Sequence, residues 1–197
     1  MMSLRTFVPE AFRDFRTIAA VAPSSGHLAR AMLKPLPLRR ASTVVELGAG
    51  TGAMTQVLLN LLPDDATLIA FEINSRFFHY LKNKFSDPRL VLLNVSAEKL
   101  GRELRRLGCK RIDAAVSSLG LGYMAEPQRH TILREISSFL NHRGVFTHFQ
   151  YIHGLQFSHG QLFRFNEIRL LRQYFGSVHR RVIWRNLPPA FVFICSV

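Results

Sequence analysis

The chain has 197 residues, 48% of them hydrophobic, with 16 Phe and a formal net charge of +13. That is enough chain for one domain with a real core, and the apolar content excludes an intrinsically disordered protein. No apolar run reaches the roughly 18 residues that would suggest a membrane span, and Arg5, Glu10, Arg13, Asp14 and Arg16 break up the N-terminal region too early for a secretory leader.

The charge is uneven. Residues 1–40 carry 7 Lys and Arg against 2 acids, residues 41–140 carry 12 against 10, and residues 141–197 carry 7 against 1. Basic ends around a nearly neutral middle point to a polyanionic partner, either a nucleic acid or an anionic membrane surface. Cys109 and Cys195 have no metal-site spacing, and neither do His148, His153 and His159. A reducing, cytoplasmic compartment and no metal are therefore expected.

In chain order, residues 1–20 read as a basic amphipathic helix, with Phe7, Phe12, Phe15 and Ile18 on its apolar side. Ser24 or Ser25 is placed to cap a second helix from about His27 to Leu33, which Lys34-Pro35-Leu36-Pro37 ends. Short apolar strands then alternate with amphipathic helices. Strands are expected from Thr43, at Thr67–Phe71, Leu90–Leu93, Ile112–Val116 and Val145–Phe149. Helices are expected at about Ala53–Leu62, Ser75–Phe85, Ser96–Leu107, Pro127–Leu140 and Gln161–Phe175. Asn141-His142-Arg143-Gly144 reads as a turn. Two last strands, Val178–Trp184 and Phe191–Ile194, are joined by Asn186-Leu187-Pro188-Pro189. The alternation predicts a doubly wound α/β sheet, and the short final link makes the closing pair antiparallel. We divide the single domain, residues 1–197, into an N-terminal helical segment, 1–40, and a core, 41–197.

The most informative stretch is Val44-Val45-Glu46-Leu47-Gly48-Ala49-Gly50-Thr51-Gly52. It is a buried strand running into a glycine turn and then a helix, an arrangement that lets a ligand lie against backbone N–H groups. Glu72 ends the next strand and is placed to accept the hydroxyls of a ribose. A carboxylate at Glu46 would repel a pyrophosphate but attract an ammonium or sulfonium. A nucleoside with a cationic tail describes S-adenosylmethionine. The rival is a dehydrogenase, since Gly48-x-Gly50-x-x-Ala53 also fits the dinucleotide fingerprint. A dehydrogenase of this length would have little chain left for a substrate domain.

The pattern E-L-G-x-G-x-G resembles motif I of the class I methyltransferases, and five parallel strands followed by an antiparallel pair resemble their Rossmann-like seven-stranded, mostly parallel sheet with an antiparallel final strand. That resemblance implies cofactor contacts from Glu46, Gly48, Gly50, Thr51, Gly52, Glu72 and its neighbour Ile73, with Ser24 and Ser25 within reach. Many such enzymes carry an aspartate for the adenine amino group after the third strand. Here Ser96 stands there, followed by Ala97, whose N–H could meet a ring nitrogen. After strand four the chain has Ser117-Ser118-Leu119-Gly120-Leu121-Gly122-Tyr123. It lacks the N/D-P-P-Y/F of base-amino methyltransferases, which argues against an rRNA adenine enzyme and against nucleic acid as the partner.

Four further pieces resemble the bacterial phospholipid N-methyltransferases, which methylate phosphatidylethanolamine towards phosphatidylcholine. They are the N-terminal helix, Val21-Ala22-Pro23-Ser24-Ser25, Phe149-Gln150-Tyr151, and Asn186-Leu187-Pro188-Pro189-Ala190. An ornithine-lipid methyltransferase would look similar. The alternatives are an RNA or small-molecule methyltransferase, and a non-catalytic binding protein that keeps the fold. The lipid resemblance implies an enzyme held peripherally at the inner face of an anionic membrane; the sequence leaves its oligomeric state open, with a monomer as the expectation. For its lipid site the candidates are Tyr151 and Tyr123 as catalytic or amine-holding aromatics, and His148 and His153 beside the substrate. Arg180, Arg181 and Arg185 are candidates for a lipid phosphate.

Overall fold

The computed structural model describes residues 26–152 and 166–197, together with the backbone of Leu155–Ser158 and Gln161–Arg164. The predicted first helix, Ser24, Ser25 and His153 lie outside the described residues.

The strands are β1 (Thr43–Leu47), β2 (Thr67–Phe71), β3 (Leu90–Leu93), β4 (Ile112–Ser117), β5 (Leu140–Tyr151), β6 (Leu155–Ser158), β7 (Gln161–Arg164), β8 (Ser177–Ile183) and β9 (Ala190–Ser196). The α-helices are α1 (Gly26–Leu33), α2 (Ala53–Leu61), α3 (Ser75–Lys84), α4 (Leu100–Arg106), α5 (Glu126–Phe139) and α6 (Glu167–Leu171). The main sheet has seven strands in the order β3-β2-β1-β4-β5-β9-β8, and β6 and β7 pair separately. β1 to β5 are parallel, while β9 is antiparallel to both β5 and β8.

Both faces of the sheet are covered, which is why its central strands are almost continuously apolar. Val45, Leu47, Ile69, Phe146 and Phe193 pack on one side with residues of α4, α5 and α6. Val44, Leu68, Val116 and Val192 pack on the other with Leu28 and Met32 of α1 and Met54 and Leu58 of α2. Asp113 ties the two halves at the amino edge of the sheet. One of its oxygens accepts from the N–H groups of Ser42 and Thr43, and the other from the amide of Asn141.

Two expectations change. The tetrapeptide Asn141–Gly144 is a bulge inside β5, because the register steps from Ile112↔Leu140 to Ala114↔Val145. The local turn chemistry persists there, with the Arg143 N–H bonded to Asn141 Oδ1 at 2.8 Å. The helix expected over Gln161–Phe175 is only Glu167–Leu171, and Gln161–Arg164 is β7, paired antiparallel with β6. Cross-strand pairing of Leu155–Ser158 with Gln161–Arg164 outweighed helical spacing there.

Candidate active site

The strand order reverses between β1 and β4, so the carboxyl ends of the parallel strands open a crevice at that point. β1 leads there into the glycine turn. Gly48, Gly50 and Gly52 all have positive φ, at 80°, 55° and 77°. Glycine reaches that region without the steric cost other residues meet. The turn is held from below by the Gly48 N–H on the Phe71 carbonyl at 2.9 Å. It is held from the side by Lys84 Nζ on the Thr51 carbonyl at 3.0 Å. Leu119, from the segment after β4, lies over Gly48, where an added Cβ would come within 3.1 Å of its side chain.

Glu46 is 1% exposed. Its Oε2 accepts the Thr55 hydroxyl at 2.7 Å, and among the described residues its Oε1 has no hydrogen-bond donor. Burial, reinforced by the nearby Glu72 carboxylate and opposed by the Thr55 bond, raises its pKa to about 7. A buried carboxyl with an unused oxygen beside a glycine turn is suited to an ammonium group.

Glu72 occupies the predicted place just after β2, and there it has a structural task. Its Oε2 accepts the Gly50 N–H and its Oε1 the Asn74 N–H, both at 2.7 Å. It therefore clamps the glycine turn to the start of α3. Sequence reading missed Asn94, whose amide donates to the carbonyls of Glu72 at 2.8 Å and Ile73 at 3.3 Å. Its position just after β3, on the ligand edge, was the available signal. Ile73 is left 69% exposed at this edge, an apolar surface for a planar ring.

Ser96 follows β3 at the same edge. Its hydroxyl caps the short 3₁₀ helix Ala97–Lys99, accepting from the Glu98 N–H at 3.3 Å and donating to Glu98 Oε2 at 3.0 Å. Ala97 is buried beside it. Tyr123, in the 3₁₀ helix Leu121–Tyr123, is 51% exposed. Tyr151 ends β5, half-buried, with its ring edge-on to Phe149 at 5.3 Å between centroids. Burial pushes the Tyr151 phenol up from its ordinary pKa, so at neutral pH it is a hydroxyl and not a phenolate base.

The other predicted substrate residues separate. His148 is 1% exposed, with Nε2 on Glu167 Oε1 at 2.6 Å, and its ring stacks among Phe146, Phe149 and Phe193. A lipid cannot touch it without opening that layer, so its partner is Glu167, which sequence reading did not single out. Arg180 and Arg181 are adjacent on β8 and alternate in direction, opposite Phe193 on the α5 face and Val192 on the α1 face. Their side chains therefore leave β8 on opposite faces, and the Arg180 guanidinium lies 4.5 Å over the Phe191 ring. Arg185 alone of the three follows β8 onto the ligand edge. Among the described residues no cluster of His, Cys, Asp and Glu could hold a metal ion.

The family model described as "Methyltransferase domain" matches residues 44–144, just over half of the chain, from β1 into β5. The chain belongs to that methyltransferase family. The Burkholderia thailandensis 1,6-didemethyltoxoflavin-N1-methyltransferase, solved with S-adenosylhomocysteine, superposes with a TM-score of 0.62 at 21% identity, covering 98% of this chain and 86% of that one. The Geobacter metallireducens precorrin-6y C5,15-methyltransferase gives 0.62 at 15% identity, covering 85% and 86%. Along the sequence, an ornithine lipid N-methyltransferase of Singulisphaera acidiphila is 27% identical over 193 residues, 96% of this chain and 93% of that protein. The methyl donor of this methyltransferase is S-adenosylmethionine. The residues fit it: an unused buried carboxyl oxygen for an ammonium, a glycine turn for close approach, and a second acid one strand over.

Proposed function

We propose that the chain is an N-methyltransferase acting on the amine of a membrane aminolipid, with an ornithine lipid as the first candidate and phosphatidylethanolamine as the second. The observation that carries this reading is the end-to-end likeness to the ornithine lipid enzyme, which extends beyond the cofactor-binding half into both basic ends. In support, the segment after β4 lacks a base-amino motif, and the crevice is bordered by aromatic side chains.

In this reading Glu46 holds the ammonium of the methionine tail and Glu72 the ribose. Ile73 and the backbone at Ser96 and Ala97 border the adenine. S-adenosylmethionine supplies an electrophilic methyl group. The lipid amine must arrive as the free base, and taking a lysine-like pKa that costs about 5 kcal/mol at pH 7. Tyr151 and Tyr123 contribute an apolar, aromatic wall that disfavours the ammonium form and still accepts methylated amines by cation–π contact. The protein reads as a peripheral enzyme at an anionic membrane. No described helix is long and apolar enough to cross one.

The test is incubation with labelled S-adenosylmethionine and vesicles that hold an ornithine lipid, phosphatidylethanolamine and an anionic lipid. Label in the ornithine lipid is the expected result, and label in phosphatidylethanolamine would move the headgroup assignment. Label in neither, with cofactor binding intact, would overturn the lipid reading and send the search to RNA and small amines.

A further inference from the structure

The β8–β9 connection, residues 184–189, lies at the same edge of the sheet as the cofactor crevice. The register aligns Tyr151 with Ala190 and Ala190 with Ile183, so one row runs across β5, β9 and β8. Trp184 is the residue after Ile183. It stands two strand spacings from the Tyr151 lane, or about 10 Å. The turn that follows exposes two large apolar side chains: Trp184 is 72% exposed and Leu187 92%. A globular chain normally surrounds such a pair with polar residues or covers it.

The segment of chain that carries it has charge of one sign. From residue 168 to the end the chain carries Arg169, Arg172, Arg180, Arg181 and Arg185, and no Asp or Glu. Arg181 lies three residues up β8 from Trp184, about 10 Å along an extended strand. A bilayer that received Trp184 and Leu187 at its surface would meet Arg181 at headgroup depth. Tryptophan favours the boundary between headgroups and acyl chains, and basic residues near it are drawn to anionic lipid.

We propose that the β8–β9 turn docks the enzyme on an anionic bilayer, with Trp184 and Leu187 entering the interface and Arg181 meeting the headgroups. This would present the Tyr151 end of the crevice to the membrane, so an aminolipid need only rise by its headgroup to reach it. The choice of a membrane as the occupant rests on the lipid reading above. A nucleic acid could stack on Trp184 but has no use for a fully exposed Leu187.

Trp184 is the chain's single tryptophan, so intrinsic emission reports this turn alone. The experiment adds phosphatidylglycerol–phosphatidylcholine vesicles, which contain no amine substrate, to the full chain without cofactor. A blue shift, protection from acrylamide and quenching by brominated lipid are expected, each weaker with phosphatidylcholine alone. Leu187→Ser should lower the partition coefficient roughly tenfold, and Trp184→Ser, read by co-sedimentation, at least as much. Both sites are exposed, and a circular dichroism melt checks that each variant is folded. Co-sedimentation with unmoved emission would overturn the proposal in favour of another docking surface. So would an absence of vesicle binding, or an emission change with single-stranded RNA and not with vesicles. If emission shifts as expected but no lipid is methylated, this proposal stands and the substrate reading falls.

Discussion

Thr55, on the first turn of α2, donates its hydroxyl to Glu46 of β1 at 2.7 Å and leaves the other Glu46 oxygen without a donor among the described residues. Holding the side chain this way aims one oxygen and keeps the second for a ligand. The cost appears as a pKa raised to about 7. Because the folded protein keeps that proton longer than the unfolded chain, the Glu46 contribution to stability is full below the unfolded pKa of 4.5. It is lost as pH rises through about 7. The loss amounts to about 3 kcal/mol. Glu46→Gln should therefore match the wild type in thermal unfolding at pH 4 and exceed it at pH 8, in the absence of cofactor.

The same group should make cofactor binding depend on pH. An ammonium needs the ionised carboxylate, so affinity for S-adenosylmethionine should rise about tenfold per unit between pH 5 and pH 7 and then level off. In Glu46→Gln the dependence should vanish, with affinity at pH 8 reduced roughly 100-fold. Calorimetric titration across pH checks both. Unchanged affinity in the variant would remove Glu46 from the cofactor site.

Glu72 accepts two backbone N–H groups at 2.7 Å, so its removal should loosen the glycine turn as well as delete the proposed ribose acceptor. Glu72→Ala is expected to weaken cofactor binding roughly 100-fold, since hydrogen bonds to a charged group carry about 1.5–3 kcal/mol each. Asn94→Ala removes only the support of that loop and should cost about tenfold. Equal losses in the two variants would mean that Glu72 acts through the loop alone.

Gly52 is held by its neighbours as well as by its backbone. An added Cβ would come within 2.6 Å of Leu81 and Phe85 of the α3 region, at φ 77°. Gly52→Ala should destabilise by about 2–4 kcal/mol through left-handed strain plus overpacking. Gly108, at φ 72° with open space around it, is the control. Its alanine variant should lose only about 1–2 kcal/mol. Denaturant midpoints would separate the two.

His148 and Glu167 form a buried pair at 2.6 Å. Removing one partner, as in Glu167→Met, should cost about 3–5 kcal/mol, while His148→Phe with Glu167→Met should recover most of it. If the double variant keeps its methyl-transfer rate, the pair is structural. A loss of rate without a loss of stability would return His148 to the reaction.

The strand–turn–helix from Val44 to Leu61, the acid at Glu72 and the alternation that builds the sheet were all legible in the chain. They depend on contacts between near neighbours and on the side-chain period of each element. The last antiparallel pair was legible too, because so short a link permits no crossover. Other features needed the fold. The His148–Glu167 bond joins β5 to α6 across a layer, and neither residue's neighbours hint at it. The separation of Arg180 from Arg181 follows from strand alternation, which shows only once the two faces of β8 are known. The clamp made by Glu72, the support from Asn94 and the shared edge of Trp184 with Tyr151 are also products of register. Sequence by itself determined most of the elements and the glycine turn, whose chemistry is local. Tertiary structure decided which distant side chains meet, because burial and pairing are set by the packing of whole strands.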